Sequence, residues 1–237
     1  QEAPFNGGAC SSRLLTGNAT GYTELEQLLA HLYQRDAALV FNSGYHANIG
    51  ILPALSTKND LILADKLVHA SIIDGLKLSD AKIVRFKHND LAQIDDLLTK
   101  DRHLYDMVFI ATESVFSMDG DRADLAELVR LKTKHDVFLY IDEAHATGVL
   151  GNKGLGLCEE AGLIAHIDFI VGTFGKAVAS QGAYLICDDV IRDYLINTMR
   201  SLIFTTALPP FSLQWTLFVI KEMVTMNAQR RHLNDIS

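Results

Sequence analysis

Apolar residues recur along this chain in two alternating rhythms. After residue 22, Leu25, Leu28, Leu29 and Leu32 return at helical spacing. This predicts an amphipathic helix with Thr23 as its N-cap and Glu24 and Glu26 in the first turn, where acids suit the helix dipole. Short apolar runs then appear at 37–41, 61–64, 82–86, 107–111, 137–141, 169–171 and 183–186. They are too short for helices and are bounded by polar or glycine-containing turns, so they read as buried strands. Helical patterns fall between or after them, at 43–55, 70–78, 91–98, 125–134, 190–199 and 211–226. Strand and helix in alternation predict an α/β fold with a mostly parallel central sheet and helices on both faces.

Residues 1–22 show neither rhythm. They are rich in Gly, Ser, Asn and Thr and read as a glycine-rich N-terminal loop, with 23–237 as one large domain. Arg13 is the only base in that loop, in either a solvated connector or the lining of an anion site. The 237 residues, 49% of them hydrophobic, suffice for one large core. The chain begins at Gln1 and closes on the polar run 227–237, which reads as part of a longer protein. No apolar run is long enough for a membrane span, and no signal peptide is visible. Cys10, Cys158 and Cys187 lack metal or disulfide spacing, which predicts a cytoplasmic protein and no bound metal. The net charge of −8 argues against nucleic-acid binding.

In such sheets ligands sit beyond the carboxyl ends of the strands, and the residues expected there are polar. The stretch DFIVGTFGKAVASQGAY, 168–184, places Lys176 just past a strand, between small residues. It is either a surface turn lysine or a partly desolvated amine able to form a Schiff base. Asp142 follows the apolar run FLYI, so its carboxylate needs a partner: a nearby Arg or His, or a protonated heteroaromatic nitrogen. His145 is either a capping residue or a donor to a phenolic oxygen. His69 is either structural or stacked on a planar ring. Ser43-Gly44-Tyr45 opens a helix after a strand, where free N–H groups suit a phosphate. Thr173 can add a hydroxyl from the same side as Lys176. Ser117 is either a turn former or a further cofactor contact. No G-x-G-x-x-G follows a strand and no G-K-[ST] occurs. Taken together these groups describe a site for pyridoxal 5'-phosphate.

The motifs DEAHATG, TFGK, ESVFSMDGD and DKLVHAS resemble the α-oxoamine synthases, pyridoxal-phosphate-dependent acyltransferases of the aminotransferase-like fold (fold type I). The resemblance runs from about residue 7 to about residue 210, with the motifs in order. It implies Lys176 as the Schiff-base lysine, Asp142 as the partner of the ring nitrogen and His145 as the ligand of the phenolic oxygen. It implies His69 stacking on the ring and touching substrate. Gly44 and Tyr45 match the backbone phosphate contacts, with Thr173 adding its hydroxyl and Ser117 a further cofactor contact. Lys176, His69, Asp142 and His145 are the expected catalytic residues. Thr205 or Thr206 matches a phosphate contact from the neighbouring subunit, which implies a homodimer with shared sites. TFGKA, QGAY and SLIFTTALPP point within the family to condensation of L-alanine with a pimeloyl thioester, on CoA or a carrier protein. Glycine C-acetyltransferase chemistry, an aminotransferase and a non-catalytic partner subunit are the alternatives. The family's N-terminal segment, C-terminal small domain and carboxylate-binding arginine are expected to lie outside this chain.

Overall fold

In the computed structural model, which describes residues 7–237, seven strands form one sheet. They are β1 (Ala37–Phe41), β2 (Leu61–Asp65), β3 (Lys82–Phe86), β4 (Val108–Glu113), β5 (Phe138–Asp142), β6 (Phe169–Thr173) and β7 (Ala183–Cys187). Their order across the sheet is β1-β7-β6-β5-β4-β2-β3. β7 runs antiparallel to both its neighbours, β1 and β6, and the other adjacent pairs are parallel. The mostly parallel sheet read from the apolar runs is therefore observed.

Alternation along the strands gives each face its own core. Phe41, Ile62, Phe109, Tyr140 and Val171 pack on one side with Ile51, Leu52 and Ile72 from helices. Val40, Leu63, Ile110, Leu139, Ile141 and Ile170 pack on the other with Leu25, Leu29 and Leu128. Each such side chain contributes roughly 1.5–3 kcal/mol by leaving water. Strand register also sets where the acids stand. Glu113 pairs with Asp142, and Asp142 with Val171, so the two acids lie side by side on one face.

Five local expectations need correction. The first helix spans Thr20–Tyr33 and is capped at Ala19, not at Thr23. The earlier start carries Tyr22 into the core, where its hydroxyl accepts from Leu208 N at 2.6 Å. The expected loop 1–22 lies outside the described residues over 1–6, and Arg13–Gly17 forms one π-helical turn. Arg13 lines no anion site at the strand ends. Its guanidinium pairs with Glu26 at 2.7 Å, donates to Val40 O at 2.9 Å and lies over the Tyr22 ring.

The helix expected over 43–55 breaks into Gly44–Asn48 and Ile51–Leu55. Between them Gly50 touches the 199–203 segment so closely that a Cβ would fall 2.2 Å from Ser201 Oγ. The polar run at the end forms the helix Asn227–Ile236. Its buried Arg230 donates to the carbonyls of Met223, Gly151 and Asn152, which lone periodicity does not reveal.

Candidate active site

Beyond the carboxyl ends of the strands lies a cavity of about 200 Å³. Gly44, Tyr45, His69, Asp142, His145, Thr173 and Lys176 all line it, so seven expected site residues from four strand ends meet in one place. The local sequence explains why. Ser43 caps the helix after β1 by accepting from His46 N at 3.2 Å, which turns Gly44 and Tyr45 toward the opening. His69 caps the helix Ala70–Leu78. Asp142 ends β5 and His145 sits in the turn after it. Gly172, the fourth residue of β6, accommodates the Tyr184 ring, which a Cβ there would meet at 2.2 Å. The Gly175-Lys176 turn follows directly.

Lys176 Nζ and His145 Nε2 share a hydrogen bond at 2.7 Å. Asp142 is 4% exposed. Its Oδ1 accepts from Ala144 N at 2.9 Å and its Oδ2 from Asn48 Nδ2 at 2.8 Å. Its hydrogen-bond partners are thus neutral donors, where the sequence left an Arg or a His open. Thr173 Oγ1 donates to Gly182 O at 3.1 Å and accepts from Gly175 N at 3.2 Å. Its proton is therefore already directed away from the cavity.

Three groups in the cavity are pushed toward their neutral forms. Lys176 falls below the usual lysine value because its amine is desolvated, against the opposing pull of Asp142 and Glu113. His145 falls as well, through loss of water and then the Lys176 charge. Glu113 rises to about 7, first by burial and then by the neighbouring Asp142 charge. Glu113, at about 7, can therefore hold or release a proton near neutral pH.

Glu113, Asn48 and Ser71 also line the cavity and were missed as site residues. Glu113 Oε1 accepts from His69 N at 2.6 Å. The sequence signal for it was its place at the end of β4. Asn48 carried no signal, because its partners are distant in sequence. Three expected residues lie outside this cavity. Ser117 is exposed in the turn of a small hairpin whose arms meet at Val115 and Arg122. Thr205 and Thr206 line a separate surface depression with Cys10, Leu14, Leu15 and Phe204. Among the described residues no group of three or more His, Cys, Asp or Glu could hold a metal ion.

Residues 2–235 match the family model "Aminotransferase class I and II". The chain belongs to the class I and II aminotransferase family. It is 59% identical over 228 residues to a Pasteurella multocida protein named "Putative 8-amino-7-oxononanoate synthase", covering 96% of this chain and 59% of that protein. Among solved structures it resembles a serine palmitoyltransferase variant from S. paucimobilis with a bound PLP–myriocin aldimine. There the TM-score is 0.91 and the identity 35%, over 96% of this chain and 59% of that one. It also resembles the 8-amino-7-oxononanoate synthase of Francisella tularensis, with a TM-score of 0.80 and 37% identity over 91% of this chain and 62% of that one. These relatives are α-oxoamine synthases, which bears out the resemblance read from the motifs. The chain spans about three fifths of the length of the relatives it matches.

Proposed function

We propose that residues 23–237 form the cofactor-binding domain of a pyridoxal-phosphate-dependent α-oxoamine synthase. The reaction is the decarboxylating condensation of L-alanine with pimeloyl-CoA or a pimeloyl carrier protein, giving 8-amino-7-oxononanoate for biotin synthesis. The observation that carries this reading is one cavity lined by both Lys176 and Asp142, together with His69 and His145. The names of the relatives support the choice of substrates.

The donor set fits the cofactor. Asp142 supplies an acid for the ring nitrogen, Lys176 an amine for the aldehyde, His145 a ligand for the phenolic oxygen and His69 a flat ring for stacking. Gly44 and Gly175 converge on Thr173, which a Cβ at either would meet at 3.8 or 3.6 Å. A glycine-lined corner with ordinary contact distances leaves room for a phosphate approached by backbone N–H groups. Gly44 and Tyr45 would hold it there, with Thr173 once its proton turns from Gly182. Ser117 would have to move with its hairpin to take part, and the geometry supports that role least.

When bound, the cofactor supplies an electron sink for charge developing at the substrate's α-carbon. The residues do the rest. Lys176, held below its usual value, takes the α-proton and returns it. Asp142 would keep a proton on the ring nitrogen. His69 would stack on the ring and touch substrate. Leu14, Leu15 and Phe204 are 54%, 76% and 71% exposed beside Thr205 and Thr206, an apolar face that supports a homodimer. There the two threonines would reach the partner's phosphate site. The three cysteines are free, which agrees with a cytoplasmic protein. No helix among the described residues is long and apolar enough to cross a membrane.

The test is a matrix of amino acids against acyl thioesters, run with the full-length protein and scored by product mass. Product from alanine and a pimeloyl thioester alone is the expected result. Product from glycine and acetyl-CoA would point to glycine C-acetyltransferase chemistry. No product with any pair would contradict the proposal.

A further inference from the structure

Asn48 is 3% exposed and makes three hydrogen bonds through one amide. The Tyr140 hydroxyl donates to its Oδ1 at 2.6 Å. Its Nδ2 donates to Asp142 Oδ2 at 2.8 Å and to Ser71 Oγ at 2.9 Å. The orientation of the amide follows from chemistry: an ionised carboxylate only accepts, so the nitrogen must face Asp142. Ser71 Oγ, having accepted from Asn48, lies 2.7 Å from His69 Nδ1. The Ser71 backbone N–H donates to the same ring nitrogen at 3.2 Å. A backbone N–H cannot accept, so Nδ1 carries a lone pair and the ring proton sits on Nε2. Among the described residues Nε2 makes no hydrogen bond.

We infer that Asn48 is a positioning residue that couples Asp142 to His69: its amide orients the carboxylate and, by occupying Ser71 Oγ as an acceptor, directs the Ser71 hydroxyl proton to Nδ1, reinforcing the Nε2-protonated tautomer that the Ser71 backbone N–H selects. The chain of donors runs one way, from Tyr140 through Asn48 and Ser71 to His69. Its consequence rests on the function proposed above. His69 faces its ligand as a hydrogen-bond donor, so it holds an oxygen, a thioester carbonyl or a carboxylate, and does not take a proton from carbon.

Nitrogen-15 spectra of protein labelled at histidine read the tautomer directly, with and without pyridoxal phosphate, and His69→Gln assigns the signal. A pyridine-like Nδ1 and a pyrrole-like Nε2 are expected for His69. A pyrrole-like Nδ1 overturns the inference whatever reaction the protein catalyses. Asn48→Ser should give mixed tautomers at His69 and roughly 10- to 100-fold weaker pyridoxal-phosphate binding, the size of one lost hydrogen bond to a charged group. Tyr140→Phe removes only the hydroxyl that anchors the amide and should show the same changes at smaller amplitude. An unchanged tautomer and unchanged affinity in both variants overturn the coupling. A failed condensation assay with these spectra intact would instead count against the proposed reaction.

Discussion

Two acids follow one another at the end of β5, and the sheet sends them to opposite faces. Asp142 enters the cavity. Glu143 enters the opposite core, fully buried, where it accepts from Ser114 Oγ at 2.5 Å, Leu157 N at 3.0 Å and Cys158 N at 2.6 Å. Nearby, Tyr33 and Tyr184 share a hydrogen bond at 2.6 Å, with Leu155 O and Thr147 as their other partners. Glu143 is surrounded by protein donors. Asp142 has two neutral donors from the protein and an open side on a cavity with a lysine. The lesson is that burial alone does not mark a functional acid. What marks it is acceptor capacity that the fold leaves facing a cavity.

The largest expected effect separates the two faces by stability. Glu143→Leu strands three buried donors and should lower the unfolding free energy by about 3–5 kcal/mol in urea titrations. The cofactor signal per folded molecule should stay unchanged; its loss would join the faces that the comparison separates. Asp142→Asn should do the reverse. Turnover should fall by roughly 10²–10³-fold, as for other groups that stabilise transition-state charge, while the loss of stability stays smaller than in Glu143→Leu, since one amide hydrogen faces a donor instead of three donors losing their acceptor. Full turnover in this variant would show that the open acid is idle.

Glu113→Gln sharpens the comparison within the cavity face. The native carboxyl is held at about 7 against an ordinary 4.5, so the fold favours its protonated form. That advantage is complete at low pH and is lost as pH rises from 4.5 through 7. The Gln variant should match the native chain below pH 4.5 and exceed it by about 3 kcal/mol above pH 7. Equal stability at every pH would mean that neither burial nor the Asp142 charge raises Glu113 in the fold.

The smallest effect concerns an acid satisfied by a cation. Asp65, fully buried at the end of β2, faces His88 Nδ1 at 3.0 Å, and His88 Nε2 meets Asp121 at 2.6 Å. Burial alone would lower the imidazole, but its hydrogen bonds to Asp65 and Asp121 outweigh that and hold it above the ordinary value. The raised group stabilises the fold fully below its unfolded value, and the gain is lost as pH rises through the folded value. His88→Gln should therefore cost about 1 kcal/mol near pH 6 and progressively less at alkaline pH. A cost independent of pH would rule out the charged form.

What could be read from the chain alone follows from locality. The seven strands were visible because each is a short apolar run, and the rim because ligand-facing residues must follow strand ends. Lys176 and Asp142 were placed on that rim in this way, and both line the cavity. The resemblance supplied the roles of Thr205 and Thr206. Asn48 was invisible because its worth depends on Tyr140 and Asp142, more than 90 positions away. The different fates of Asp142 and Glu143 were hidden for the same reason, since the partners of Glu143 arrive from 114 and 157–158. Arg13 misled because its partner Glu26 lies in the helix that the loop folds against.

The central claim is that the amine at position 176 holds pyridoxal phosphate in the cavity that contains Asp142. Borohydride reduction of the cofactor-loaded protein, followed by peptide mass mapping, tests it most directly. The account predicts a single modified lysine, Lys176, and none in Lys176→Ala. Modification at any other lysine, or unchanged labelling of Lys176→Ala, would contradict it.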